Sequence, residues 1–378
     1  MHNTPVQEEF KTPGQLIEAL LHERGWSQRI LAAVLAMSES TLNKLISGKQ
    51  AVSAEIAIAL EEVFEVDAAR FLALQQAYDL ARARIVNRPN PVRAKRAQLF
   101  ADFPVAELIQ RRWINVESVR DLDAVDSALI QFFDGQDPNE VVTTPHSAKK
   151  TSAGEHPSPA QLAWLYRVRQ IARELLVPRY DQAAARAAIP RLKMLLSAPE
   201  EARHAPRILQ ECGIRLVIVE GLKSSKIDGV CTWLDQHSPV IGMTLRFDRM
   251  DNFWFVLRHE LEHVLQGHGM HEPSLDVDIG ADVVDEEEKV ANTVASDFCA
   301  SKDRVESFIK RKAPIFPERD FLGLAKVLGV HPALVAGQIQ FKTGRYDLFR
   351  SHLVKIRDRV LPSAIVDGWG DVAPVGIQ

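Results

Sequence analysis

The sequence predicts a mainly α fold with a small β-sheet (α+β), divided among more than one domain. Three observations predict it. At 378 residues the chain exceeds a single typical domain of about 100–200 residues. Helical periodicity punctuated by Ser and Gly caps runs through residues 1–80. Three short β-prone runs then precede a strongly apolar helical segment at 252–266. Hydrophobic residues at 46% and charged residues at 25% match ordinary soluble globular proteins, which excludes overall disorder and fibrous repeats.

A formal charge of −4 gives no chain-wide attraction to nucleic acid, so any such partner must be met by a local patch. The opening residues carry no basic segment followed by an apolar run. Nor is there a stretch of about 18 apolar residues, so no membrane partner is expected. Cys212, Cys231 and Cys299 are scattered and lack C-x-x-C spacing, which argues against a disulfide framework and fits a cytoplasmic location.

Thr12 and Pro13 begin a first helix, carried by Leu16, Leu20 and Leu21 and stopped at Gly25. Ser27 caps a second helix whose apolar face holds Ile30, Leu31 and Val34. Ser38 caps a third, with Leu42, Leu45 and Ile46 inward before Gly48. Ser53 starts a fourth helix on Ile56, Leu60 and Val63, and a fifth runs from Asp67 through Leu72 and Leu74. Residues 1–80 thus read as a compact helical bundle.

Residues 81–158 read as a helical, basic connector and linker. Pro89, Pro91 and Pro104 interrupt it, and Arg82, Arg84, Arg88, Arg93, Lys95 and Arg96 recur along it. The Pro-, Ser- and Thr-rich stretch 135–159 has little apolar material to bury. A further domain is expected over 159–312, with helices near 161–176, 180–196 and 200–212, then strands at 215–219, 229–234 and 240–245. The run 240–245 is expected to be an edge strand lining a cleft, where an extended chain would add as a strand. Helices near 252–266, 285–301 and 303–311 complete this domain. Residues 313–378 read as a C-terminal helical extension, with helices at 319–328, 332–340 and 346–360 and a loosely ordered tail from Leu361.

The apolar helix at 252–266 contains His259, Glu260 and His263 in an H-E-x-x-H run. Residues four apart on a helix are separated by about 400°, so the two imidazoles leave one face and can grip one ion, most simply Zn2+. Apolar neighbours Phe255, Val256, Leu257, Val264 and Leu265 make this a buried helix. The alternative is a pair of core histidines satisfied by nearby carboxylates. A third ligand decides between them, and His268, His271, Asp276, Asp278, Asp282, Asp285 and Glu286 to Glu288 are the candidates. A metzincin pattern would need Gly and His where the chain has Gln266 and Gly269, and it leaves His268 out of register. Glu288 shares a stripe with Asn292, Ala295 and Cys299, small enough for two helices to approach, whereas Glu286 and Glu287 point away from it. Glu288 is therefore the expected third ligand. Angle alone does not choose the base, because Glu260 and Glu262 flank the histidine line symmetrically. The residue after the first histidine is the usual base of zinc hydrolases, which favours Glu260.

Two short helices at 27–34 and 38–46, joined by Leu35, Ala36 and Met37, have the spacing of a DNA-reading helix-turn-helix. Ser38, Ser40, Thr41, Asn43 and Lys44 would meet base edges or phosphates, with Gln28 opening the first helix. Glu39 brings an unfavourable charge near phosphates. The alternative is a bundle used only for protein contact, with the connector arginines a solvated face.

Together these residues resemble a known combination, a Cro/HigA-like helix-turn-helix followed by an ImmA/IrrE-type metallopeptidase domain. The first half of the resemblance rests on Trp26-Ser27-Gln28, on residues 37–43 (MSESTLN) and on Ile46-Ser47-Gly48-Lys49. The second rests on residues 240–245 (VIGMTL), on Asp251-Asn252-Phe253-Trp254, on His259-Glu260-Leu261-Glu262-His263 and on Glu288, Ala291 and Asn292. The resemblance implies a zincin-like, thermolysin-related fold, Zn2+ held by His259, His263 and Glu288, and Glu260 as base. It also implies a double-stranded DNA operator and a protein substrate or partner such as a repressor, an antitoxin or a cognate toxin, in stress or toxin-antitoxin control. A homodimer is the default for such DNA-binding modules. Glu262 and Val294 stand where many relatives have Gly or Ala and an aromatic residue; neither removes a ligand, but an extra carboxylate changes the charge around the metal. The alternative function is a DNA-binding regulator whose zinc domain is a non-catalytic sensor or partner-binding module.

Overall fold

The structure, a computed structural model, describes residues 10–86, 90–143, 149–150, 157–223, 225–270, 273–277, 286–369 and 371–375. They fall into two compact units, 1–95 and 96–378, each taken by itself below.

Five helices build the first unit: α1 (Pro13–Arg24), α2 (Gln28–Val34), α3 (Glu39–Ile46), α4 (Ala54–Phe64) and α5 (Ala68–Val86). Side-chain caps set four of the starts. Thr12 forms a reciprocal capping box with Gln15, and the hydroxyls of Ser27, Ser38 and Ser53 accept from the backbone N–H three residues on. Gly25 ends α1 at φ 63°, a left-handed conformation that glycine adopts without strain. A Cβ on Gly14 would lie 1.9 Å from the Ile46 carbonyl oxygen, so this glycine lets α1 close on the end of α3. Leu16, Ile17, Leu31, Leu42, Leu45, Leu60 and Phe71 fill the core. Ile30 and Val34, expected inward, are 44% and 49% exposed. The turn into α3 directs Leu31 and Ala32 to the core instead, and Ala36 makes that turn at φ 52°.

Helix α6 (Pro91–Asp102) crosses the boundary between the units. The second unit continues with α7 (Val105–Gln110), α8 (Leu122–Phe132), α9 (Pro138–Thr143), β1 (Lys149–Lys150), α10 (Pro159–Glu174), α11 (Gln182–Met194) and α12 (Ala205–Glu211). Strands β2 (Arg215–Val219), β3 (Ile227–Trp233) and β4 (Pro239–Met243) lead into α13 (Met250–Gln266), β5 (Ser274–Val277) and α14 (Glu286–Cys299). The chain closes with α15 (Lys302–Lys312), α16 (Glu318–Leu328), α17 (Pro332–Thr343), α18 (Arg357–Val360), β6 (Ile365–Gly368) and β7 (Asp371–Val375).

Among the described residues the strands form one mixed sheet in the order β1-β5-β3-β4-β2-β6-β7. Alternation along β2 splits its side chains between two cores. Leu216 and Ile218 join Phe253, Trp254, Leu257 and Leu261 of α13. Val217 and Val219 join Trp164, Val168 and Ile171 of α10. The sheet is thus covered on both faces, and its middle strands are buried along their whole length.

Several sequence expectations need correction. The run 240–245 does not form an edge: β4 lies between β3, antiparallel to it, and β2, parallel to it. Gly242 permits this burial, because a Cβ there would press on Val230 and on the Trp164 ring, whose Nε1 donates to Val219 O at 3.1 Å. The helix expected over 346–360 is broken at Phe349, which takes φ 54° and stacks on Phe321 with ring centroids 3.9 Å apart. The tail from Leu361 supplies β6 and β7, with β6 in parallel register on β2. Part of the expected connector belongs to a core: Leu108, Val125, Leu129 and Phe133 pack with Trp164 and Val168. Residues of α16 and α17, expected as an extension, share the core of α13. Among the described residues no single helix is long and apolar enough to cross a membrane.

His331 caps α17 by accepting from the Ala333 N–H at 3.1 Å. Burial lowers its pKa below the usual histidine value; Glu200 opposes the shift and His352 adds to it. A lowered folded pKa means stability that is full above the unfolded value and lost as pH falls through the folded one. On acidification from pH 7.5 to 5, wild type should therefore lose about 2 °C more in melting temperature than His331→Asn, which keeps a neutral cap. Parallel melting curves across that range would contradict this.

Candidate metal centre and helix-turn-helix

Helices α13 and α14 pack side by side, and Ala291 and Ala295 on the buried face of α14 allow a close approach. On that face Glu288 is buried and meets both histidines. His259 Nε2 lies 3.2 Å from Glu288 Oε2, His263 Nε2 lies 3.4 Å from Glu288 Oε1, and the two imidazole Nε2 atoms are 3.1 Å apart. Ligands about 2.1 Å from one tetrahedral ion stand roughly 3.4 Å from each other, so this donor set has the size and chemistry of a zinc site. His259, His263 and Glu288 are also the residues among those described whose ligand atoms gather closely enough to hold a metal.

Of the remaining candidates, those described are not among the three residues that gather. Glu286 is exposed and pairs with Lys289, while Glu287 is 52% exposed and lies 3.7 Å from His268 Nε2. Asp276 lies in β5, and His271, Asp278, Asp282 and Asp285 fall outside the described residues. His268 has a different place in the cluster. Its Nδ1 sits 2.9 Å from Nδ1 of His263, so one ring donates to the other and the His263 Nε2 is turned toward Glu288. An i,i+5 pair across a helix end has no periodic signature, although the left-handed Gly267 marks the turn that brings it back.

Glu260 and Glu262, equivalent by helix angle, differ in surroundings. The Glu262 carboxylate accepts from Arg258 Nη2 and from Gln266 Nε2, both at 2.7 Å. Burial pushes its pKa up, but these two hydrogen bonds and the Arg258 charge outweigh it and hold the carboxyl below the ordinary glutamate range. Glu260 is fully buried against β3, where Gly229 leaves its carboxylate room.

In the first unit, Ser40, Asn43 and Lys44 are exposed on α3. Ser38 and Thr41 are engaged at the helix start: Ser38 Oγ caps the Thr41 N–H at 3.1 Å and lies 2.8 Å from Thr41 Oγ1. Gln28 is half-buried at the start of α2. Glu39, the unfavourable charge, pairs with Arg29 at 3.3 Å on the protein surface. Residues 16–71 match the helix-turn-helix family. Over 71 residues the chain is 37% identical to the uncharacterized HTH-type transcriptional regulator YddM of Escherichia coli (strain K12), covering 76% of that protein and 19% of this chain. The chain belongs to the helix-turn-helix family. The first unit of this helix-turn-helix protein is a DNA-binding, transcription-regulating module, and the His259, His263 and Glu288 cluster lies outside the matched segment.

Gly229 was not singled out in the sequence, since an isolated strand glycine has no pattern of its own. A Cβ there would stand 2.1 Å from Glu260 Oε1 and 2.9 Å from Val256 Cγ1. Gly229→Ala should therefore cost about 1–3 kcal/mol in urea unfolding by forcing α13 away from β3. Unchanged stability would contradict the contact.

Proposed function

We propose that this helix-turn-helix protein is a cytoplasmic transcriptional regulator whose second unit is a zinc-dependent endopeptidase, with a repressor or antitoxin as substrate. The observation that carries this reading is the convergence of His259, His263 and Glu288 on one point, one residue away from the buried carboxylate of Glu260. Glu260 and Glu288 are both buried beside the imidazoles, while Glu262 is paired with Arg258. Two histidines and a carboxylate at these distances are a donor set suited to a divalent cation.

When bound, zinc supplies a Lewis acid that polarises a peptide carbonyl and acidifies water. The chain's residues do the rest. His263 is held in orientation by His268, and Glu262 is held by Arg258 and Gln266, so it does not compete for protons. Glu260 is the base: it takes the proton of the attacking water and returns it to the leaving amine. Burial of the site keeps bulk water from screening these charges.

At the other end of the chain, Asn43 has the side chain that reads adenine in the major groove, and Lys44 the charge that neutralises a phosphate. Ser38 and Thr41 hold the N-terminus of α3 rather than reach for bases, while Ser40 and Gln28 add polar contacts. Binding as a homodimer to two half-sites of an operator is the ordinary geometry of such modules. In a toxin-antitoxin or stress-response locus, cleavage of a partner would then be coupled to promoter occupancy.

The second reading keeps the DNA-binding module and makes the metal domain a sensor or partner-binding module without turnover. It is favoured by the burial of the cluster, with His259 and Glu260 at 0% exposure and His263 at 1%. Wild type and Glu260→Gln should be compared in cells by mapping new protein N-termini, with footprinting of the bound promoter in parallel. The endopeptidase reading expects N-termini that depend on Glu260, a loss of about 10²–10⁴-fold in their formation in the variant, and the same footprint for both proteins. Identical N-termini with either protein would reject it in favour of the sensor.

A further inference from the structure

A cavity of about 500 Å³ opens beside the metal cluster, within the size range of ligand pockets. Its walls come from the first half of α13, the second half of α14, and α17. Phe255 lies one turn before His259, with ring centroids 6.2 Å apart. Asn292 lies one turn after Glu288 on the neighbouring helix. Both helices therefore carry the cavity away from the ligands by about 6 Å, which an extended peptide spans in about two residues.

The lining joins apolar surface to acceptors that have no donor. Leu334 and Phe255 line its apolar side, and Phe341, 58% exposed, stands at its rim. Gln338 is 9% exposed; its amide nitrogen donates to Ser296 O and Ala300 O, whereas its Oε1 is buried without a hydrogen-bond partner. Asn292 Oδ1 is likewise buried and unpartnered. A buried acceptor left unmet costs about 1–3 kcal/mol, so both oxygens favour an occupant that brings N–H groups. Of the cations on the wall, Arg249 is paired with Asp251 and Lys342 with Glu306. Lys302 has no carboxylate within salt-bridge distance among the described residues.

We propose that this cavity is a side-chain subsite for an extended peptide, taking a large apolar or aromatic side chain within about two residues of the bond cut, with a peptide carboxylate drawn to Lys302. Amide N–H groups of the peptide satisfy Gln338 Oε1 and Asn292 Oδ1. As a subsite it rests on the endopeptidase reading; its occupancy is measured without cleavage.

The test uses full-length protein in a Glu260→Gln background and the fluorescence anisotropy of a labelled hexapeptide carrying one phenylalanine and one aspartate. Counterparts replace the phenylalanine by alanine or the aspartate by asparagine. The phenylalanine peptide should bind about tenfold or more tightly than the alanine peptide, as burial of one large apolar side chain provides. Thr293→Trp places an indole at the cavity mouth from an exposed position, and Phe341→Ala removes an exposed wall. Each should reduce that preference at least threefold while circular dichroism melting stays unchanged. Lys302→Ala should erase the aspartate preference and leave the phenylalanine preference intact. Equal binding of the phenylalanine and alanine peptides, or a preference that survives both Thr293→Trp and Phe341→Ala, would overturn the proposal. The two readings fail separately. Wild-type cleavage with no phenylalanine preference rejects the subsite alone, whereas the binding preference without any wild-type cleavage rejects the endopeptidase and keeps the pocket.

Discussion

The contact between α13 and α14 is the constraint on which the cluster of His259, His263 and Glu288 depends. Two histidines stand on one helix; the carboxylate that meets them comes from the other and reaches them because alanines at 291 and 295 let the backbones approach. The other side of α13 is fixed just as firmly. Phe253, Trp254, Leu257 and Leu261 embed it on the sheet, and Gly229 of β3 leaves the space that Glu260 fills. Bulk added between α13 and α14 would separate Glu288 from the imidazoles, and bulk at Gly229 would displace Glu260 and its helix from β3, so packing and site geometry are one problem here.

Burying this many polar groups on one helix is costly unless each is matched. Arg258 Nη2, Glu262 and Gln266 form one hydrogen-bonded set along consecutive turns, while the Arg258 Nε and Nη1 groups are buried without a hydrogen-bond partner and the guanidinium lies 6.0 Å from the Phe298 ring centre. His268 and Glu287 extend another from His263 toward solvent. At the centre stand a pair of imidazoles and two carboxylates, His259, His263, Glu260 and Glu288, residue types that metal sites use as ligands and bases. Glu262 accepts from Arg258 and Gln266, whereas Glu260 lies against Gly229 of β3, a difference in surroundings that no helical wheel shows.

Local signals were legible because they are local. Caps at Thr12, Ser27, Ser38 and Ser53 are written in side chains three residues from the N–H groups they satisfy. The i,i+4 histidines and the small-residue stripe around Glu288 follow from helical period alone. Illegible features depend on partners far away in the chain. An apolar strand such as 239–243 reads the same at an edge or in the middle until β2 and β3 are placed on either side of it. The last strands needed β2 as a template, and the break at Phe349 needed the ring of Phe321. In the first unit Ile30 and Val34 share the apolar period of Leu31, yet the turn at Ala36 gives the core to Leu31.

If three side chains from two helices form one metal site, the metal content of the purified protein reports it. Purified protein, loaded with zinc and dialysed free of excess, should retain about one zinc per chain by mass spectrometry of the element. Glu288→Ala should lower retention at least about tenfold in affinity while the circular dichroism spectrum stays that of the folded protein. Wild type that retains no zinc after loading, or a Glu288→Ala protein that holds it as tightly as wild type, would contradict the account.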